Sequence, residues 1–267
     1  MRIYGHRGAK GEAPENTLAG FEHAYRHGVR NFELDVQLSS DGKPVVFHDS
    51  TLDRTTGRSG RVSSHTEDEI LQMDARQGGA RWSQPATIPS LETIFVACPE
   101  FEHMQLEIKS DSKQRLNILC NRLVEMIQRN QWHERVTLTS RDAWFLKLVR
   151  RHSRRIRIGL VSGRRFPNPV KLAQRLDCNF LCCGWKLCSA SMVKAAHGAD
   201  LHVTAWTVNR IHDMLELEDN GVDSVITDFP TSTLMFFENR QHRLIKAHTL
   251  AHTSADKSPM NSEGNPA

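Results

Sequence analysis

No run in this sequence approaches the ~20 consecutive apolar residues needed to cross a bilayer, and the N-terminus, MRIYGHRGAKGEAPENT, lacks the apolar core of a secretory signal. The expectation is a soluble, unexported, cytoplasmic protein with no transmembrane segment. Nor do its six cysteines (Cys98, Cys120, Cys178, Cys182, Cys183, Cys188) form a C-x-x-C pair. Four crowd between Cys178 and Cys188, but without the paired knuckles of a structural zinc site. They read as reduced, small, buried apolar residues and not as a secreted disulfide framework. A lopsided charge is absent too: 35 basic minus 31 acidic residues leave +4, too little to argue for nucleic acid, and no recognition motif accompanies it.

What is present is a globular composition, 39% hydrophobic and 25% charged over 267 residues. That length suits one large α/β domain as well as two smaller ones. Short β-rich runs alternate with segments of helical period, the pattern of βαβ units around a parallel sheet. Nine runs are readable: Ile3 to His6, Phe32 to Val36, Val45 to His48, Gln105 to Lys109, Val136 to Thr139, Ile156 to Val161, Asn179 to Cys183, His202 to Trp206 and Ser224 to Asp228. Asp41-Gly42 is a hairpin signal between the second and third. Parallel neighbours need a crossover of a dozen or more residues, so the third run should return antiparallel. Eight parallel strands remain, predicting an α/β fold of the (β/α)8 barrel type in a single domain over residues 1–240. An insertion over about residues 49–89 follows the second-strand hairpin, where periodicity weakens and glycine and proline punctuate. From Gln241 the chain turns polar, and residues 241–267 are expected to be a disordered tail.

In such a barrel the active site gathers at the C-terminal ends of the strands. There the chain places His6-Arg7-Gly8, then Glu33 and Asp35 on one face of the second strand, His48-Asp49 after the hairpin, and Glu107-Ile108-Lys109. Three carboxylates pointing into one cavity repel strongly without a counter-ion. Oxygen-only ligation suits a hard divalent cation, Mg²⁺ or Ca²⁺. The competing reading pairs the acids with Arg7 and Lys109 as structural ion pairs. Those same cations beside a metal suit a phosphoryl group, so an anionic substrate is implied. His6 and His48 supply two imidazoles able to take and give protons near neutrality.

The order and spacing of HRG (His6 to Gly8), PENT (Pro14 to Thr17), ELDVQLSSDGKPVVFHD (Glu33 to Asp49), LEIK (Leu106 to Lys109), AWTVN (Ala205 to Asn209) and GVDSVITDFP (Gly221 to Pro230) resemble the glycerophosphodiester phosphodiesterases, in their bacterial cytoplasmic form. The resemblance spans roughly Ile3 to Pro230. It implies a TIM-barrel enzyme that uses a divalent cation to hydrolyse a small-molecule glycerophosphodiester to an alcohol and sn-glycerol 3-phosphate. It further implies that His6 and His48 are the acid and base, that Glu33, Asp35 and Glu107 hold the metal, that Arg7 and Lys109 contact phosphate, and that Trp206 lines the substrate pocket. Glu15 and Asn16 read as bracing the first loop through side-chain to backbone bonds. Two alternatives stand beside this reading: phospholipase D-like hydrolysis of lysophospholipids, and a non-catalytic phosphate-ester binding barrel.

One departure from the family resemblance is Ser140-Arg141-Asp142, where many relatives carry Ser-Phe-Asp. It begins a stretch, Arg141 to Arg165, with nine Lys or Arg against one Asp. That stretch reads as a solvated helix face, or as a peripheral contact with anionic lipid or an acidic partner.

Overall fold

In the computed structural model, which describes residues 1–255, nine strands form one sheet. They are β1 (Arg2–His6), β2 (Asn31–Leu38), β3 (Pro44–Val46), β4 (His103–Ile108), β5 (Val136–Ser140), β6 (Arg157–Ser162), β7 (Phe180–Gly184), β8 (His202–Trp206) and β9 (Ser224–Thr227). Eight of them are parallel and close in the order β1-β2-β4-β5-β6-β7-β8-β9, because β1 pairs with both β2 and β9. β3 lies outside this ring, antiparallel to β2 with Val36 opposite Val46, as the Asp41-Gly42 hairpin predicts. The architecture is a (β/α)8 TIM barrel.

Its helices are α1 (Leu18–Arg26), α2 (Asp53–Thr56), α3 (Glu67–Leu71), α4 (Leu91–Ala97), α5 (Lys113–Arg129), α6 (Ala143–His152), α7 (Pro169–Arg175), α8 (Ala190–His197), α9 (Ile211–Asp219) and α10 (Pro230–Ala255). Among the described residues none is long and apolar enough to cross a membrane. The start of α1 shows how local sequence sets an element: the Thr17 hydroxyl accepts from the Gly20 amide at 3.1 Å and donates to the Pro14 carbonyl at 2.8 Å. Just past the other end stands Gly28 at φ +89°, a backbone conformation that L side chains rarely adopt. The segment 49–89 packs around a core of its own, including Phe47, Leu52, Val62, Ile70, Met73 and Ile88, and a Thr66/Glu69 capping box opens α3. A bridge between Val45 and Ser90 ties it to the hairpin.

α10 does not stop where polar composition begins. The expected tail from Gln241 starts inside this helix, which runs on to Ala255. A docked helix has already met its nucleation cost, so good helix formers such as Arg243, Leu244 and Lys246 extend it without needing a core. The remainder of the expected tail, 256–267, lies outside the described residues.

Along the strands, side chains alternate between two environments. Facing the helices are Phe32, Leu34, Val36, Met104, Leu106, Ile108, Leu138 and Ile158, all in the main apolar core. Facing inward are polar groups, where barrels of this type more commonly pack branched apolar residues. Tyr4 Oη lies 2.9 Å from His103 Nδ1, and His103 Nε2 lies 3.1 Å from Thr137 Oγ1. Gln105 Nε2 donates to Thr204 Oγ1 at 3.2 Å, and Cys182 Sγ donates to Gln105 Oε1 at 3.3 Å. The Gln105 bonds join β4 to β8 and β7, which are not its sheet neighbours, so they cross the lumen.

This interior has a consequence for stability. Burial, helped by the charges of Arg157 and Arg2, pushes His103 down to about 3. Burial likewise lowers His202, whose Nε2 bonds Ser224 at 2.9 Å. Both are folded in the neutral form, whereas an unfolded histidine takes up its proton near pH 6.5. Stability is therefore complete above about pH 6.5 and falls as pH drops toward about 3 for His103 and about 4 for His202, by up to about 1.4 kcal/mol per pH unit for each histidine. Urea denaturation from pH 7 to pH 4 should give a shallower pH slope for His103→Gln than for the wild type. An unchanged slope would remove His103 from the account.

Candidate active site

At the C-terminal mouth a cavity of about 460 Å³ is lined by His6, Arg7, Glu33, His48, Glu107, Lys109 and Trp206. Asp35, the eighth residue singled out from sequence, lies buried beneath them, 1% exposed. A larger groove of about 680 Å³ opens at the opposite end beside Arg2, Arg30 and Arg240, and holds none of the eight. Convergence of titratable groups, not volume, marks the site.

The first turn is unusual. Arg7 and Asn16 both adopt φ 52°, the left-handed region that non-glycine residues seldom enter. Gly8 between them packs so closely on α1 that a Cβ would come within 3.0 Å of the Gly20 backbone. This costs conformational energy of order 1 kcal/mol or more for each such residue, retained where it aims side chains at a site. The aim is visible: Arg7 Nε reaches Asp35 Oδ2 at 3.1 Å, its Nη1 reaches Glu15 Oε1 at 2.7 Å, and Asn16 Nδ2 donates to Asp35 Oδ2 at 2.8 Å. Glu15 and Asn16 therefore act through side-chain contacts with the site, and the side-chain to backbone bracing expected of them is not made among the described residues.

Glu33, Asp35 and Glu107 each offer an oxygen such that all three lie within 4.8 Å of one another. Two cations answer them. Lys109 Nζ lies 2.6 Å from Asp35 Oδ1 and 3.0 Å from Glu107 Oε1, and Arg7 takes Asp35 from the other side. Burial alone would raise the Asp35 carboxyl, but Lys109 and Arg7 hold it well below the usual range. Glu33 has no such partner. Its nearest cationic candidate is His6 Nε2 at 3.9 Å, and burial with repulsion from Asp35 and Glu107 pushes its carboxyl well above the usual range. The ion-pair reading is thus realised in part, and one buried carboxylate is left over. An oxygen-only set with surplus negative charge fits a hard divalent cation.

Each histidine is held by a carboxylate at Nδ1. His6 Nδ1 lies 2.5 Å from Asp228 Oδ1, and Asn209 Nδ2 donates to Asp228 Oδ2 at 2.7 Å. His48 Nδ1 lies 2.6 Å from Asp49 Oδ1, which Arg54 Nε grips through Oδ2 at 2.5 Å. A carboxylate at Nδ1 makes that nitrogen the donor and leaves Nε2 for the cavity. Arg54 also donates to Glu15, at 2.7 and 2.9 Å, so it joins the His48 side of the site to the Arg7 side. Asp228, Asn209 and Arg54 were missed in the sequence. Asp228 ends the last strand run, so the strand-end rule itself could have found it; Arg54 belongs to the insertion, where no periodic signal exists. Trp206 is anchored by Nε1 donating to the Cys182 carbonyl at 2.9 Å.

The model of the glycerophosphoryl diester phosphodiesterase family matches residues 6–232, from the first site histidine to the start of α10. The chain belongs to that family. Like other glycerophosphodiester phosphodiesterases it is an enzyme, a phosphoric diester hydrolase. A glycerophosphodiester phosphodiesterase of Caldanaerobacter subterraneus subsp. tengcongensis is 31% identical over 233 residues, 87% of this chain and 96% of that protein. One from Bacillus altitudinis is 31% identical over 235 residues, 86% and 95% respectively. Among solved structures, an Oleispira antarctica phosphodiesterase in complex with the product sn-glycerol-3-phosphate superposes with a TM-score of 0.79 at 27% identity, over 89% of this chain and 97% of that one. A Silicibacter pomeroyi structure shares the fold with a TM-score of 0.81 at 24% identity, covering 90% and 94%.

Proposed function

We propose that this barrel hydrolyses a glycerophosphodiester to an alcohol and sn-glycerol 3-phosphate in a reaction that depends on Mg²⁺ or Ca²⁺, with His6 and His48 dividing the acid and base roles. The observation that carries this is the pairing of two carboxylate-held imidazoles with an under-neutralised triad of acids in one cavity. Glu33, Asp35 and Glu107 would hold the cation. When bound there, it supplies Lewis-acid neutralisation of the phosphoryl oxygens.

The chain's own groups do the rest. Arg7 and Lys109, fixed by Asp35, present N–H donors to the phosphodiester; the guanidinium suits two oxygens at once and the ammonium acts as a point charge. One imidazole accepts a proton from the attacking hydroxyl as the P–O bond forms. The other delivers a proton to the departing alcohol oxygen. Trp206 walls the pocket on the substrate side. All six cysteines are free and buried, which supports a reducing compartment such as the cytoplasm.

The test is release of glycerol 3-phosphate from glycerophosphoethanolamine and glycerophosphoglycerol with Mg²⁺, with Ca²⁺ and with EDTA. Release with a cation and none in EDTA is expected; release undiminished by EDTA would overturn the metal assignment. A lysophospholipid reading of the same site draws on Phe166, 87% exposed on the loop after β6 between Arg165 and Pro167. Turnover of the glycerophosphodiesters without turnover of lysophosphatidylcholine removes that reading.

A further inference from the structure

The basic stretch from Arg141 to Arg165 does not form one patch. α6 runs from the mouth to the far end of the barrel and β6 returns, so the middle of the stretch lies away from the site. There Arg150 is tied to the Asn179 side chain at 2.6 Å and to the Asp177 carbonyl at 2.8 Å, and Arg157 to Glu134. Only the two ends, Arg141 and Arg164-Arg165, reach the mouth. The latter pair is exposed on the loop that borders Trp206, where a Cβ on Gly163 would come within 3.4 Å of the indole.

Arg141 lines the catalytic cavity and covers its aromatic wall. Its Cζ lies 5.1 Å from the centroid of the Trp206 ring, and the nearest carboxylate oxygen, Glu107 Oε1, is 3.9 Å from its Nε, beyond hydrogen-bond distance. The backbone on both sides is fixed: Ser140 Oγ donates to the Ile108 carbonyl at 2.8 Å, and Asp142 caps α6, accepting from the Trp144 amide at 2.8 Å. The backbone of Arg141 is thus fixed at the mouth, and its part-exposed guanidinium lies over the indole with its N–H groups open. Arg7 and Lys109 share part of their N–H groups with Asp35, Glu15 and Glu107, whereas the whole guanidinium fork of Arg141 is open to a ligand.

A quaternary ammonium is recognised by an open aromatic face. In this site the face of Trp206 is already taken by a cation, and a second cation there meets repulsion. An open guanidinium fork favours a carboxylate or phosphate instead. We infer that Arg141 is a specificity-determining residue that directs this enzyme to glycerophosphodiesters whose alcohol carries an anionic group, against choline. The inference rests on the hydrolase reading above.

Three esters of glycerol 3-phosphate test it: with choline, with ethylene glycol and with 3-hydroxypropionate, which are cationic, neutral and anionic in the alcohol. The wild type should show kcat/KM at least about tenfold higher for the anionic ester than for the cationic one. Arg141→Gln should bring that ratio to about one, with each ester's rate taken relative to the neutral ester in the same variant, and Arg141→Lys should keep part of the preference. Equal or better hydrolysis of the choline ester by the wild type, or a ratio that survives Arg141→Gln, overturns the inference. Calorimetric titration of His48→Ala and of His48→Ala/Arg141→Gln with the same esters in Mg²⁺ separates the two claims. Absence of turnover by the wild type, together with charge-selective binding that Arg141→Gln abolishes, would sink the hydrolase reading alone. Binding without charge selectivity would sink the subsite.

Discussion

Glu33→Gln is expected to lower turnover by about 10³-fold or more and, in the cation-free protein, to raise the melting temperature. The two effects have one cause. Glu33 is 4% exposed, faces Asp35 and Glu107, and lacks a close cationic partner. A buried charge so placed opposes folding when no cation is present, and an amide of the same shape removes that opposition. The same substitution takes an anionic oxygen from the candidate metal site, and with it the electrostatic stabilisation of the transferring phosphoryl group. Thermal unfolding with and without Mg²⁺ reads the two effects separately. The wild type should gain stability on adding the cation, by about 2.7 kcal/mol at a hundred times its dissociation constant, and the variant should gain much less. A variant with lower cation-free stability and an intact Mg²⁺ shift would show that Glu33 belongs to the ion-pair network and not to a metal site.

His6→Ala and His48→Ala should each reduce kcat by about 10²- to 10⁴-fold, the range of one general acid or base. KM should change little, because the proton transfers are made only on the way to the transition state. The two sites are built alike, each with Nδ1 clamped by a carboxylate that is itself clamped, Asp228 by Asn209 and Asp49 by Arg54. That symmetry predicts comparable losses. A variant that keeps kcat but multiplies KM would make its histidine a substrate contact and leave the other to serve both steps.

Much of this was readable in the sequence because barrel geometry ties function to strand ends. His6, Glu107 and Trp206 sit at or near the last positions of their strands; Glu33 and Asp35 lie mid-strand in β2, level with His6 and Glu107 on its neighbours, and a period-two pattern places the two acids on one face. The antiparallel β3 followed from the shortness of the Asp41-Gly42 connection. The outer layer of support was less readable. Asp228 ends a strand run, but an Asp before a helix also reads as a cap, and only its 2.5 Å approach to His6 distinguishes the roles. Arg54 lies in the aperiodic insertion and acts across 39 residues on Glu15. The polar lumen was not readable either. His103 is satisfied by Thr137 on the neighbouring strand and Gln105 by Thr204 across the barrel, facts that no single strand carries. The reach of α10 past Gln241 was hidden for another reason: extending a docked helix needs far less apolar surface than starting one.

The most direct test of the central claim follows the phosphorus atom. In ¹⁸O-labelled water with Mg²⁺, ³¹P NMR of glycerophosphoglycerol with the wild-type enzyme should show the diester resonance replaced by glycerol 3-phosphate carrying the label, and no conversion once EDTA is added. An unchanged diester resonance with the cation present, or label recovered in the alcohol instead of the phosphate, would contradict it.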